Sequence, residues 1–182
     1  VNDTTQTGSW TDCYPYSSIS IYALHPMYVD LQSLPPINDG AYMQEYEKKR
    51  RELNALPQVD YEAVNQLKHD YMRRLYNQIQ RSLQHDEDYL QFCSANENWL
   101  VPYAAFCLLR DKYNTCDFTA WPRHSTYKEE EVSLWARKKK TELGYYIFVQ
   151  YLLDKQLYEA ATVARNLGVV LKGDIPIGIS RC

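Results

Sequence analysis

The chain has 182 residues and a formal net charge of −3 at pH 7, with both signs of charge interspersed along its length. This balance excludes the basic face that nucleic-acid binding requires, and no apolar segment is long enough to span a bilayer. One domain of this length can bury a real core, but a complete eight-stranded barrel needs about 250 residues. Because the chain lacks an initiator Met, we expect an internal segment of a larger protein, with a complete small helical protein as the alternative.

The five cysteines form no C-x-x-C pair and have no histidine at metal-ligand spacing. An odd number of cysteines whose spacing fits no disulfide framework is typical of proteins from a reducing compartment. The sequence also contains no Gly-rich phosphate loop and no Ser-His-Asp arrangement. We therefore expect no metal site, no cofactor and a cytoplasmic location, with Cys93 and Cys107 as small core residues.

The first forty residues show little helical pattern. Pro15 excludes a regular helix in Tyr14-Pro15-Tyr16-Ser17-Ser18 and holds Tyr14 in an extended conformation. Two short stretches, residues 20–22 and 27–31, favour β-structure, and the Pro- and Gly-rich residues 34–40 predict a break.

The middle of the chain is predicted to be helical. Apolar residues recur at three- and four-residue steps, and Asp60, Asp86 and then Asn96 or Asn98 are candidate N-caps. Pro102 is compatible with a helix only in its first turn, which supports the start at Asn96 or Asn98. The predicted helices cover residues 41–56, 60–83, 86–93, 96–107, a charged stretch from 128, and 145–167.

The sequence also predicts the environment of one histidine and the effect of one glycine in this helical region. His69 lies off the apolar stripe of its helix, so we expect it to be solvated. Gly144 precedes the last helix and is a weak helix breaker.

The last helical pattern ends at Gly168. Glycine is the residue that most often adopts the left-handed conformation just past a helix end. Val169–Leu171 form a short apolar run that predicts a buried parallel strand. Asp174 follows at the strand exit, the position where parallel barrels carry their active sites. The alternative for Asp174 is a loop residue that makes a turn.

Three stretches, in order along the chain, resemble one enzyme family. They are V-N-D-T with Y-P-Y-S-S and A-L-H-P in residues 1–26, N-W-L-V-P-Y-A-A-F-C in residues 98–107, and L-K-G-D-I-P-I-G-I in residues 171–179. The family is that of the 4-alpha-glucanotransferases, which includes the amylomaltases and disproportionating enzymes; the N-terminal stretches resemble its disproportionating-enzyme-2 branch.

The resemblance implies an α/β fold, part of a (β/α)8 TIM barrel interrupted by a helical insertion, with this segment mostly α-helical by residue count. Residues 1–36 would be an early barrel segment, 37–140 the helical insertion, and 141–182 a barrel helix and strand ending in the G-D-I-P-I motif. The implied activity is retaining glycosyl transfer between α-1,4-glucans, from maltose or malto-oligosaccharide donors to acceptors that include a glycogen-like polysaccharide. Alternatives are a non-catalytic helical interaction module and a carbohydrate-binding module.

Site residues follow from the resemblance as well. Asp174 resembles a supporting catalytic Asp that hydrogen-bonds a glucose unit in the cleavage subsite, and Tyr16 resembles a Tyr placed against the same glucose. The nucleophile and the acid/base would lie beyond Cys182, so the segment alone is expected to be inactive. His25 is expected to make a structural hydrogen bond, and Gln150 to be a packing or network residue.

Overall fold

The computed structural model describes residues 1–173, and within this range it is built from helices without a β-strand. Short 3₁₀ turns occupy Trp10–Cys13, Pro26–Tyr28, Leu31–Ser33 and Phe118–Ala120. The α-helices are α1 (Gly40–Asn54), α2 (Tyr61–Leu83), α3 (Glu87–Tyr113), α4 (Glu129–Lys138) and α5 (Lys140–Asn166). The prediction of a mostly helical segment is thus confirmed.

Aspartate side chains fix the starts of the first three helices. The carboxylates of Asp39, Asp60 and Asp86 each accept a hydrogen bond, at 2.9–3.0 Å, from the backbone N–H three residues later. Each such cap typically contributes about 1 kcal/mol. The caps predicted at Asp60 and Asp86 are confirmed, and they explain why α2 and α3 begin where they do.

The core lies where α3 packs along α5, with α2 against one side of α5. Its most buried large side chains come from all three helices and include Met72, Leu75, Leu100, Tyr145 and Phe148. Cys107 is also buried there, and the partly buried Cys93 packs against the same cluster, as predicted for both thiols. One hydrophobic cluster therefore joins the helices that the sequence places far apart.

Residues 1–37 cross this helical core without forming the expected β-structure. The two stretches predicted to favour β-structure contain only 3₁₀ turns and bends, because side chains cap the turns locally. His25 Nδ1 accepts from Met27 N at 3.1 Å, and Asp30 Oδ1 accepts from Gln32 N at 3.0 Å. The structural hydrogen bond predicted for His25 is confirmed by the first contact.

The helix predicted to start at Asn96 or Asn98 is the second half of α3, so that start was wrong. Asn96 does not cap a helix: its amide donates to Phe92 O and its Oδ1 accepts from Trp99 Nε1, both at 2.9 Å. Pro102 consequently lies in the helix interior, a position that costs about 3 kcal/mol or more. The long packing of α3 against α5 offsets this cost.

Gly144 does not break a helix either, and it lies buried in the first turns of α5. The Tyr76 ring of α2 approaches the backbone so closely that a Cβ at position 144 would overlap Tyr76 Oη. The Tyr76 hydroxyl donates to Thr141 O at 3.2 Å, which holds the ring in place. Glycine is needed here for the close approach of two helices.

The end of α5 matches the prediction only in part. Gly168 has φ +74°, and the hydrogen bonds from Gly168 N to Arg165 O and from Val169 N to Ala164 O form a Schellman motif. Val169–Leu171 then run exposed, with Val170 at 89% exposure, so the predicted buried strand is wrong. A strand needs a neighbour for its backbone hydrogen bonds, and residues 1–173 provide none. Asp174 lies outside the described residues.

The expectation that His69 is solvated was also wrong. Its Nδ1 lies 2.8 Å from Tyr145 Oη, and the guanidinium of Arg73 covers the Tyr145 ring at 3.4 Å. Burial lowers the pKa of His69 to about 4; Asp111 opposes this effect, and Arg110 and Arg73 add to it. The apolar pattern of α2 did not indicate this contact, because the partner ring of Tyr145 comes from α5, 76 residues away.

The pKa of His69 predicts an acid-sensitive fold. The folded state keeps the ring neutral while the unfolded chain protonates it near pH 6.5, so this stability is complete above pH 6.5 and is lost as the pH falls toward 4. We expect the free energy of unfolding in urea to fall by up to about 2 kcal/mol between pH 7 and pH 5. His25, whose pKa is also lowered by burial, adds in the same direction.

His69→Gln should flatten this pH dependence, and His85→Gln, at an exposed position, should leave it unchanged. An equal pH dependence in His69→Gln and in the unaltered chain would contradict the assignment.

Candidate functional site

Residues 9–18, here called the aromatic loop, carry three large exposed rings. Trp10, Tyr14 and Tyr16 are 65%, 60% and 57% exposed. The rings of Tyr14 and Tyr16 lie edge to face, with their centroids 5.6 Å apart. Exposed aromatic rings that cluster on one loop are unusual on a surface that only contacts water, and they mark the loop as a candidate binding surface.

The base of the aromatic loop is fixed by the buried carboxylate of Asp12. It accepts hydrogen bonds from Gly8 N at 2.6 Å and from Thr7 N at 3.1 Å. Gly8 has φ +73°, a left-handed conformation that favours glycine. Across the loop, Gln6 Nε2 donates to both oxygens of Ser17 at 2.9 Å. The loop is therefore held at both ends by side-chain hydrogen bonds.

A second buried carboxylate connects this segment to the helices. Asp3 accepts from the Tyr103 hydroxyl at 2.6 Å, and from the N–H and hydroxyl of Thr5 at 2.9 and 2.6 Å. The amide of Gln150 donates to Tyr103 Oη at 3.2 Å and pairs with both backbone groups of Leu24 at 2.8 Å. We call this set the Asp3–Tyr103–Gln150 network. It confirms the network role predicted for Gln150.

Arg110 of α3 forms a further connection between the helices and the N-terminal segment. Its buried guanidinium donates to Thr5 O at 2.7 Å and pairs with the Asp111 carboxylate at 2.8 Å. Asp111 in turn accepts from the Tyr146 hydroxyl of α5 at 2.7 Å. Because burial and the nearby Asp3 carboxylate raise the pKa of Tyr103 strongly, the Tyr103 hydroxyl stays protonated and remains a donor.

These contacts determine what the site can do chemically. Asp3 and Asp12 are buried and saturated by donors from the protein, so they hold the loop and do not face a ligand. The exposed Tyr rings can stack on the C–H face of a sugar and hydrogen-bond its hydroxyls. Among residues 1–173 no group of three or more His, Cys, Asp or Glu side chains could hold a metal ion. No helix in the same range is long and apolar enough to cross a membrane.

Comparison with known proteins decides the family, because the sequence profile of the 4-alpha-glucanotransferases matches residues 1–182. The chain belongs to the 4-alpha-glucanotransferase family. It is 38% identical over 184 aligned positions to the 4-alpha-glucanotransferase DPE2 of Oryza sativa subsp. japonica, covering all of this chain and 19% of that protein. It is 31% identical to the 4-alpha-glucanotransferase of Chlamydia caviae, covering 95% of this chain and 33% of that protein.

A third relative is more distant. The chain is 26% identical to the 4-alpha-glucanotransferase of Thermus thermophilus, covering 91% of this chain and 32% of that protein. The chain thus spans between a fifth and a third of the length of these relatives.

The two predicted site residues of this chain have different outcomes. Tyr16 lies exposed on the aromatic loop, where a ligand can reach it, and its contact with glucose stays a prediction. Asp174 is outside the described residues, so the predicted common cleft is likewise a prediction. Asp3, Asp12 and Tyr103 have structural roles that the sequence did not indicate, because their partners are defined only by the fold.

Tyr103→Phe tests the link between loop and helices. The change keeps the ring but removes the donor to the buried Asp3 carboxylate, so we expect the free energy of unfolding in urea to fall by about 1.5–3 kcal/mol. Tyr158→Phe, at a 70% exposed position on α5, is the matched control and should cost less than about 0.5 kcal/mol. Equal stability of the two variants would show that the hydrogen bond to Asp3 contributes little.

Proposed function

We propose that this chain is the part of a 4-alpha-glucanotransferase that carries the aromatic loop, in an enzyme that transfers glycosyl units between α-1,4-glucans with retention. The donors would be maltose or malto-oligosaccharides, and the acceptors would include a glycogen-like polysaccharide. The observation that carries the proposal is the exposed Tyr16 on a rigidly held loop of a chain that belongs to this family. The unbridged thiols of Cys93 and Cys107 support a cytoplasmic location.

The proposal assigns Tyr16 to a glucose unit at the bond that is cleaved. A tyrosine offers an apolar ring face for the sugar C–H groups and one hydroxyl for its rim. A fixed loop binds with less entropy loss than a mobile one, since its side chains are already ordered. The hydrogen bonds of Asp12 and of Gln6 to Ser17 supply this order.

Asp174 is proposed to accept hydrogen bonds from the same glucose unit. Retaining transfer requires a nucleophile and an acid/base whose carboxyl groups lie about 5 Å apart. As the resemblance to the 4-alpha-glucanotransferase family implies, we assign both to parts of the enzyme beyond Cys182. Asp3 and Asp12, the carboxylates that hold the aromatic loop, are buried and already accept hydrogen bonds from the protein. Glycosyl transfer in place of hydrolysis further requires that the site disfavours water as the acceptor.

The barrel architecture is part of the same proposal. Residues 37–140 would be a helical insertion, while residues 1–36 and 141–182 would belong to a (β/α)8 barrel completed by the rest of the enzyme. The chain covers 19% and 33% of the two relatives above, so such enzymes have enough further residues to complete a barrel, which needs about 250 residues. A non-catalytic helical module or carbohydrate-binding module has no comparable support, since the relatives described above are all named 4-alpha-glucanotransferases.

Two substitutions in the longer enzyme test the proposed roles. Asp174→Asn keeps the shape but removes a charged acceptor, and we expect kcat to fall about 30- to 1,000-fold with an unchanged melting temperature. Tyr16→Phe removes only a hydroxyl, and we expect a loss of about 5- to 30-fold. Glucose transfer from maltotriose and thermal unfolding are measured together, with Tyr158→Phe as the control.

Early melting of Asp174→Asn with unchanged specific activity would instead make Asp174 a turn residue. Wild-type activity in both variants would contradict the assigned glucose contacts.

A further inference from the structure

The aromatic loop also contacts the helices, through the backbone of one of its first residues. The N–H of Trp10 donates to Glu62 Oε1 at 3.1 Å, a bond between residues 52 positions apart in sequence. The hydrogen bonds described above for this loop, to Asp12 and to Ser17, come from residues 6–8. Because the Trp10 ring is 65% exposed, packing of the ring does little to hold this end of the loop. The bond to Glu62 thus connects the aromatic loop directly to α2.

The acceptor of this bond has a fixed place in the fold. Asp60 caps α2, and its carboxylate accepts from Ala63 N at 2.9 Å, so the first turn of the helix is ordered. Glu62 lies in that turn, where the positive end of the helix dipole favours a carboxylate. An N–H bond to an ionised carboxylate is also stronger than one to a neutral acceptor.

A short hydrogen-bonded turn links Trp10 to Tyr14. Asp12 N donates to Ser9 O at 3.1 Å, and Tyr14 N donates to Thr11 O at 3.2 Å. These two bonds overlap along the chain, so a displacement at the start of the turn displaces its end as well.

Tyr14 in turn contacts the predicted site residue Tyr16. The two rings lie edge to face with their centroids 5.6 Å apart, a favoured arrangement for aromatic pairs. Pro15 between them restricts the backbone to a narrow range of φ. The position of the Tyr16 ring therefore depends on the turn, and through the turn on Glu62.

We propose that Glu62 is a positioning residue for Tyr16: its carboxylate holds the Trp10 end of the aromatic loop, so that the Tyr16 ring meets the glucose unit. The inference rests on the proposed function for the contact between Tyr16 and glucose. Glu62 itself contacts the loop backbone and has no assigned contact with substrate. The first turn of α2, within the proposed insertion of residues 37–140, thereby supports a loop of the proposed barrel segment, residues 1–36.

Three variants of the longer enzyme test this role, with kcat and KM measured for glucose transfer from maltotriose. Glu62→Ala removes the acceptor, and we expect kcat/KM to fall about 3- to 10-fold, mainly through a higher KM, because a displaced ring loses its contact with the bound sugar. Glu62→Gln keeps an amide oxygen that can accept from Trp10 N, and it should recover most of the lost kcat/KM.

Glu87→Ala is the matched control, since it removes an exposed acidic residue from the first turn of α3. It should leave kcat/KM unchanged, and its melting temperature should match that of Glu62→Ala.

A double-mutant cycle shows whether Glu62 acts through Tyr16. In the Tyr16→Ala background, Glu62→Ala should cause little further loss of kcat/KM, because the ring that it positions is gone. In the 182-residue chain, the heteronuclear NOE of the Tyr14 and Tyr16 amides should fall in Glu62→Ala and not in Glu62→Gln.

The inference would be overturned by losses that add in the double variant, by equal kcat/KM of Glu62→Ala and Glu62→Gln, or by an unchanged NOE in Glu62→Ala. Wild-type activity of Tyr16→Ala would instead overturn the proposed function, and this inference with it. That failure is recognised from the Tyr16 variant alone, so the two are distinguishable.

Discussion

The buried carboxylate of Asp3 is the group on which the arrangement of this chain depends. A buried charge is tolerated only when donors surround it, and Asp3 receives three, one of them from Tyr103 on α3. Gln150 on α5 then binds both Tyr103 and the backbone of Leu24. A segment without regular secondary structure is thereby attached to the two longest helices, 100 residues or more away in sequence.

The polar and the aromatic residues of the N-terminal segment have different positions and different roles. The carboxylates of Asp3 and Asp12 are buried and stabilise the fold, while the rings of Trp10, Tyr14 and Tyr16 are exposed, as the proposed sugar contact requires. This division suits a 4-alpha-glucanotransferase, because sugars are bound largely through ring faces and hydroxyl groups. Hydrogen bonds to Asp12, and from Gln6 to Ser17, fix the aromatic loop whether or not a ligand is present.

Local sequence patterns predicted the features that have local causes. Asp60 and Asp86 cap helices through neighbouring N–H groups, and Gly168 closes α5 through its own backbone, so these boundaries follow from a few adjacent residues. The wrong predictions concern residues whose conformation or burial depends on a partner that is distant in sequence. Pro102 lies inside α3, which packs along α5, and Gly144 is needed in α5 for the close approach of Tyr76. His69 is half-buried against Tyr145. Tyr16 was predicted as a site residue from its family motif, and its role stays a prediction, whereas the structural role of Asp3 became visible only in the fold.

Amide hydrogen exchange of the 182-residue chain tests the central claim most directly, namely that the irregular N-terminal segment is an integral part of the helical core. The backbone N–H groups of Asp3, Ile19 and Leu24 donate to Ala23 O, Asp3 O and Gln150 Oε1, each at 2.8 Å. If the claim is right, these three amides exchange as slowly as the core amides of α3 and α5, through global unfolding only. Exchange of all three at the rate of exposed loop amides, while α3 and α5 stay protected, would contradict it.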